Sequence, residues 1–176
     1  MCGIIGYTGS RPAAPILLDG LASLEYRGYD SSGIAVLGPS GEPVVHKAAG
    51  RLSELKAAIG DGLPTGTAGI GHTRWATHGG PTDFNAHPHT DCEDRVVVVH
   101  NGIVENYLEL REKLRSQGHV FTSETDAECI PHLVESCLGD GLSLEDAARK
   151  AAGQIQGSNA VVVVSRSEPD RMVAFR

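Results

Sequence analysis

Residues 95–102 read RVVVVHNG and residues 159–166 read NAVVVVSR. Each valine run has strand length and is far too short to cross a membrane. Because apolar side chains occupy successive positions, both faces of such a strand must be covered. The Asn-Gly pair stops the first run. Three further segments have the same character: CGIIGYTG (2–9), SGIAVL (32–37) and AGIGHTR (68–74). PVVHKA (43–48) follows GPSGE, so residues 32–48 read as a hairpin. RMVAFR (171–176) is a last strand.

The intervening segments carry helical spacing. Leu17, Leu21 and Leu24 align in 14–28, which Gly28 ends. A short helix over 51–60 ends at Gly60. Tyr107, Leu110 and Leu114 share a face in 106–118. Ile130, Leu133, Val134 and Cys137 share another in 125–139, where Thr125 and Glu128 form a capping-box pattern and Pro131 sits early. Ser143 is a cap for 143–157, which turns Leu144, Ala147, Ala148, Ala151 and Ile155 inward. Hairpin-like strand connections and a block of helices favour an α+β layered sandwich over a doubly wound sheet. Residues 75–94, WATHGGPTDFNAHPHTDCED, read as a long polar loop, and loops of that length are usually functional.

Composition narrows the class. The chain has 176 residues, 40% hydrophobic and 21% charged, as in a soluble single domain. A net charge of −7 argues against a nucleic-acid surface. No segment has the form of a secretory signal or membrane span, so a cytoplasmic protein without membrane contact is expected. The four cysteines read as free thiols. Cys129 and Cys137 on one helix would stand about 12 Å apart, too far to bridge.

Several residues could carry chemistry. Cys2 follows the initiator methionine. Once Met1 is removed, Cys2 offers a thiol nucleophile and an α-amine base in one residue. Its plainer reading is a small start to a buried strand. Asn101 and Gly102 offer adjacent donors suited to an oxyanion, or merely an Asn-Gly turn. Arg74 suits a carboxylate, or an internal ion pair. Asp126 suits an ammonium group, or favours a helix start. His72, His78, His87, His89 and His100 crowd one region near Cys92, but HPHTDC fits no standard zinc spacing, so no metal is expected.

Six segments then occur in order: MCGIIGY, LEYRGYDSSGIA, GHTRWATHGG, NAHPH, VHNGIVENY and SETDAE. Together they make the whole chain resemble the glutaminase domain of the class II glutamine amidotransferases, of the N-terminal-nucleophile hydrolase group. EYRGYDSSG and GHTRWATHG resemble the branch that converts fructose 6-phosphate to glucosamine 6-phosphate more than amidophosphoribosyltransferase, asparagine synthetase or glutamate synthase. The resemblance implies a four-layer αββα sandwich over residues 1–176, continued in the family by further strands. It also implies sugar isomerase domains elsewhere in a full-length, homodimeric chain. Cys2 becomes the nucleophile, with its amine as base, and Asn101 and Gly102 the oxyanion hole. Arg74, Thr77 and His78 would hold the glutamine carboxylate and Asp126 its ammonium. Trp75 would cover the site and Arg27 support the chain around Cys2. No cofactor is implied. The competing readings are the glutaminase half of amidophosphoribosyltransferase, a glutamine-binding module without chemistry, and a metal-binding domain built on the histidine cluster.

Overall fold

The computed structural model describes residues 2–176. The first half of the chain runs β1 (Gly3–Thr8), α1 (Ala13–Leu24), β2 (Ser31–Leu37), β3 (Pro43–Ala49), α2 (Leu52–Ile59) and β4 (Ala68–Arg74). The second runs β5 (His89–Thr90), β6 (Val96–Gly102), α3 (Tyr107–Ser116), α4 (Cys129–Gly139), α5 (Leu144–Ala152), β7 (Asn159–Ser165) and β8 (Met172–Phe175). Two antiparallel four-stranded sheets result, ordered β1-β4-β2-β3 and β5-β6-β7-β8.

Strand alternation sorts the apolar residues into three cores. Ile34 and Val36 of β2, with Ile5 and Tyr7 of β1, pack under α1 and α2. Val96 and Val98 of β6, with Val161 and Val163 of β7, pack under α3, α4 and α5. The alternate set, Ala35, Leu37, Ile70, Val97, Val99 and Val164, fills the space between the sheets. The valine run of β6 therefore divides between two cores, which explains why it shows no alternation. This is the expected αββα sandwich.

Local differences have local causes. Ser143 caps α5 as expected, accepting from the Asp146 N–H at 3.2 Å. The capping box at Thr125 does not form. Glu128 turns back to accept from the Thr122 and Ser123 N–H groups at 2.6 and 2.7 Å, while Thr125 Oγ1 meets His89 Nε2 at 2.9 Å. Burial alone would raise the Glu128 carboxyl, but the nearby His132 and hydrogen bonds from Ser123 and Thr122 hold it down at about 2. Residues 126–128 form a 3-10 turn, so the regular helix begins at Cys129. The helix α1 likewise ends at Leu24, before a 3-10 turn over 25–27. Strand β5 lies inside the segment read as loop, because two residues show no period. Among the described residues, no helix is long and apolar enough to cross a membrane.

One end of the inter-sheet space is polar. His72 stacks on His87 at 4.2 Å, and His87 meets His89 edge-on at 4.5 Å. His87 Nδ1 accepts from the His100 N–H at 3.3 Å, and His100 Nε2 pairs with Asn159 Oδ1 at 2.7 Å. Burial, first of all, lowers all four imidazole pKa values, that of His72 to about 3. Neighbouring imidazoles and Arg74 push His87 and His72 further down, whereas Asn159 and Asp126 partly offset the effect at His100.

These shifts set a pH dependence. The unfolded chain takes up protons at histidine near pH 6.5 while the buried rings remain neutral, so acidification favours unfolding. Stability should be full above about pH 7 and fall from about pH 6.5 downward. Between about pH 6.5 and 5 the ordinary carboxylates remain ionised, so the histidines dominate. Urea unfolding at pH 7.5 and 5.5 tests this. A lower midpoint at pH 5.5 is expected, and equal midpoints would mean that the native rings take up protons.

Candidate active site

The alternation that places Ile4, Ile70, Val97 and Val99 between the sheets also aligns Cys2, His72 with Arg74, and Asn101 at one end of that space. Gly3 pairs with Thr73, so Cys2 lies beside the end of β4. These ends open into a cavity of about 560 Å³. Its lining includes Cys2, Arg27, Arg74, Trp75, Thr77, Asn101, Gly102 and Asp126. Eight of the nine site residues expected from sequence thus meet in one cavity. The ninth, His78, lies behind it, 3.9 Å from Asp126 Oδ1 and edge-on to Tyr107.

Cys2 is held from several sides. Its Sγ accepts from the Trp75 N–H at 3.2 Å and lies 3.6 Å from the Trp75 carbonyl. Its own carbonyl accepts from Arg27 Nε and from Asn101 Nδ2, each at 3.3 Å. The Asn101 amide is oriented by His72, whose Nε2 lies 2.9 Å from Asn101 Oδ1 and 3.0 Å from the His100 carbonyl. Both are acceptors, so the neutral ring carries its proton on Nε2 and shares it between them. The amide NH₂ is thereby turned toward Cys2.

Arg74 is buried, and its guanidinium donates to the carbonyls of its own loop. Nη2 bonds His78 and Gly79, and Nη1 bonds Gly80. Two of its five N–H groups, Nε–H and one on Nη1, remain for another acceptor. Burial lowers its pKa, countered by Cys2, Asp126 and Asp30. Asp126 Oδ2 accepts from the Val104 N–H at 2.7 Å, leaving Oδ1 toward His78. The Trp75 indole is 47% exposed and meets Tyr29 edge-on at 5.8 Å, so it stands beside the cavity rather than closed over it.

Two positioning residues escaped the sequence reading. His72 had been weighed only as a metal ligand. Asp30 was quoted only as part of a motif, yet its Oδ2 accepts from the Ala76 N–H at 2.9 Å and its N–H bonds the Arg74 carbonyl at 3.1 Å. Only the crowding of histidines hinted at the first, and the position of Asp30 just before β2 at the second.

The facing sheets, the flanking helices and a cysteine at the rim are the arrangement of a class II, N-terminal-nucleophile amidotransferase domain. Residues 72–176 match the glutamine amidotransferase domain family, and the chain belongs to it. Glutamine–fructose-6-phosphate aminotransferase (isomerizing) of Symbiobacterium thermophilum is 57% identical over 177 residues, covering all of this chain and 28% of that protein. The protein of that name from Thermococcus kodakarensis is 50% identical, again over the whole chain and 29% of its own length. The chain thus spans under a third of these curated relatives. Glutamine phosphoribosylpyrophosphate amidotransferase of B. subtilis, complexed with ADP and GMP, superposes with a TM-score of 0.80 at 25% identity, over 94% of this chain and 35% of its own. A glutamine aminotransferase class-II domain protein from Silicibacter pomeroyi superposes at 0.62 with 15% identity, over all of this chain and 76% of its own, a likeness of fold alone.

Gly102 has a positive φ of 137°, and a Cβ there would strike the Ser158 carbonyl and come within 3.0 Å of His100 Nε2. Gly102→Ala should therefore destabilise the chain by roughly 1–3 kcal/mol. Urea unfolding at neutral pH measures this. An unchanged midpoint would mean that this strand end relaxes without cost.

Proposed function

We propose that this chain hydrolyses glutamine to glutamate and ammonia, as the ammonia-supplying part of an enzyme that aminates fructose 6-phosphate to glucosamine 6-phosphate. The observation that carries the reading is the Cys2 thiol at the cavity wall with the Asn101 amide turned toward it. In the reaction the thiolate attacks the side-chain amide carbon of glutamine. The Cys2 α-amine, freed by removal of Met1, takes the thiol proton and delivers it to the leaving nitrogen. The developing oxyanion is held by Asn101 Nδ2 and the Gly102 N–H. Ammonia departs, and water, deprotonated by the same amine, cleaves the thioester. Met1 lies outside the described residues.

The cavity suits a zwitterion. The free N–H groups of Arg74 take the α-carboxylate, with Thr77 beside them and His78 shaping the loop, and Asp126 Oδ1 takes the α-ammonium. Trp75 covers the loaded site, and Arg27 steadies the Cys2 carbonyl. Identities of 50–57% to the fructose-6-phosphate enzymes, against 25% to the phosphoribosyl enzyme, support the sugar-phosphate assignment. The sugar isomerase domains and the homodimer belong to the full-length enzyme. Free thiols suit a cytoplasmic setting.

Glutamate release by the Met1-processed chain tests the proposal. Cys2→Ala should abolish turnover yet still bind glutamine. Asn101→Ala should lower kcat by on the order of 10²–10³ with little change in KM, as for loss of one oxyanion donor. Arg74→Ala should chiefly raise KM, since the carboxylate charge is the same before and during reaction. Near-normal turnover in Cys2→Ala would end the nucleophile assignment. An Asn101→Ala effect confined to KM would make Asn101 a binding residue.

A further inference from the structure

We propose that Cys92, His119, His132 and Glu135 form a four-coordinate site for a zinc-class divalent cation. None of the four lines the cavity that holds Cys2. They come from three parts of the second half of the chain. Cys92 lies between β5 and β6, His119 follows α3, and His132 and Glu135 share one face of α4 at a spacing of three. One ligand atom from each lies within 4.8 Å of every other.

Three of the six separations match the edges of a tetrahedron. Bonds of about 2.3 Å to sulfur and about 2.0–2.1 Å to nitrogen or oxygen give edges of roughly 3.6 Å for sulfur–nitrogen and 3.3 Å for nitrogen–oxygen. Cys92 Sγ is 3.6 Å from both His119 Nδ1 and His132 Nδ1. Glu135 Oε2 is 3.3 Å from His132 Nδ1. The fourth edge, Glu135 Oε2 to His119 Nδ1, is tighter at 2.8 Å and widens by about half an ångström around a metal. Sulfur, two imidazole nitrogens and one carboxylate oxygen form a zinc-type donor set.

The surroundings aim these atoms. His119 Nε2 is 2.8 Å from Ser136 Oγ, which leaves Nδ1 for the cation. His132 is 1% exposed, and its Nε2 has no hydrogen-bond partner but faces Glu128 Oε1 at 3.9 Å. Metal-bound histidines commonly turn their second nitrogen to such a carboxylate. Glu135 Oε1 turns away toward Arg95 at 4.0 Å, so Oε2 is the donor. The Val120 N–H donates to Cys92 Sγ at 3.4 Å. Cys92 is exposed, which gives an ion its entry path, and binding releases the thiol proton. The expectation of a metal-free chain weighed only the histidines between 72 and 100. His119 and His132 lie 27 and 40 residues from Cys92, beyond any short spacing pattern. A cation here would tie the polar loop to α4.

Cobalt(II) titration of the metal-stripped Cys2→Ala chain tests this with the active-site thiol removed. One equivalent should bind, with a thiolate-to-cobalt charge-transfer band and the strong visible bands of four-coordinate cobalt, both lost on adding zinc. Cys92→Ser should remove the charge-transfer band and weaken cobalt at least about tenfold. His119→Gln should weaken binding to a similar degree but keep that band at saturation. Circular dichroism checks that each variant is folded, and if His119→Gln is not, Cys92→Ser decides alone. No one-equivalent binding, or bands unchanged in Cys92→Ser, would overturn the site.

Discussion

The hydrogen bond from His72 Nε2 across the gap between the sheets fixes the rest of the site. His72 stands on β4 of one sheet, and its two acceptors, the His100 carbonyl and Asn101 Oδ1, belong to β6 of the other. One buried proton thus sets both the approach of the sheets at this end and the direction of the Asn101 amide. A charged imidazole would also donate from Nε2, but burial holds the ring neutral. The contact therefore keeps one form across the physiological range. Apolar packing of Val97, Val99 and Ile70 brings the sheets together, and this bond sets the register of the chemistry on top of it.

The long polar segment after β4 is ordered by specific bonds. Arg74 gathers the carbonyls of residues 78–80, and Asp30 holds the Ala76 N–H. Asn85 donates to the Gly80 carbonyl at 3.1 Å and exchanges two bonds with Glu124. The residue proposed to read the substrate carboxylate therefore also builds the wall beside it. Binding and loop shape are linked through one guanidinium.

What was legible in the sequence follows a physical division. Strand length, helical spacing and the Ser143 cap are properties of neighbouring residues, and they came out as read. The α+β class followed from hairpin-like connections and a block of helices, and the layering from unbroken valine runs, because such strands need cover on both sides. The convergence of Cys2, Arg74, Asn101 and Asp126 was reached through ordered motifs, since nothing in local periodicity brings residue 2 to residue 101. Where a local rule met a competing partner it failed. Glu128 found two loop N–H groups better placed than the helix start, and the capping box was lost. The orienting role of His72 and the cluster at Cys92 depend on contacts between distant segments, which no spacing reveals.

Each sheet draws its strands from one half of the chain, β1–β4 from residues 3–74 and β5–β8 from residues 89–175. The halves are successive in sequence and joined by a single polar stretch. Cys2 and Arg74 belong to the first, while Asn101, Gly102 and Asp126 belong to the second. Such a chain is a two-part assembly written on one strand, and neither part holds all the residues of the proposed site. During synthesis the half bearing the thiol emerges before the half bearing the amide that faces it. Cys2 is thus kept apart from Asn101 and Asp126 until the halves dock.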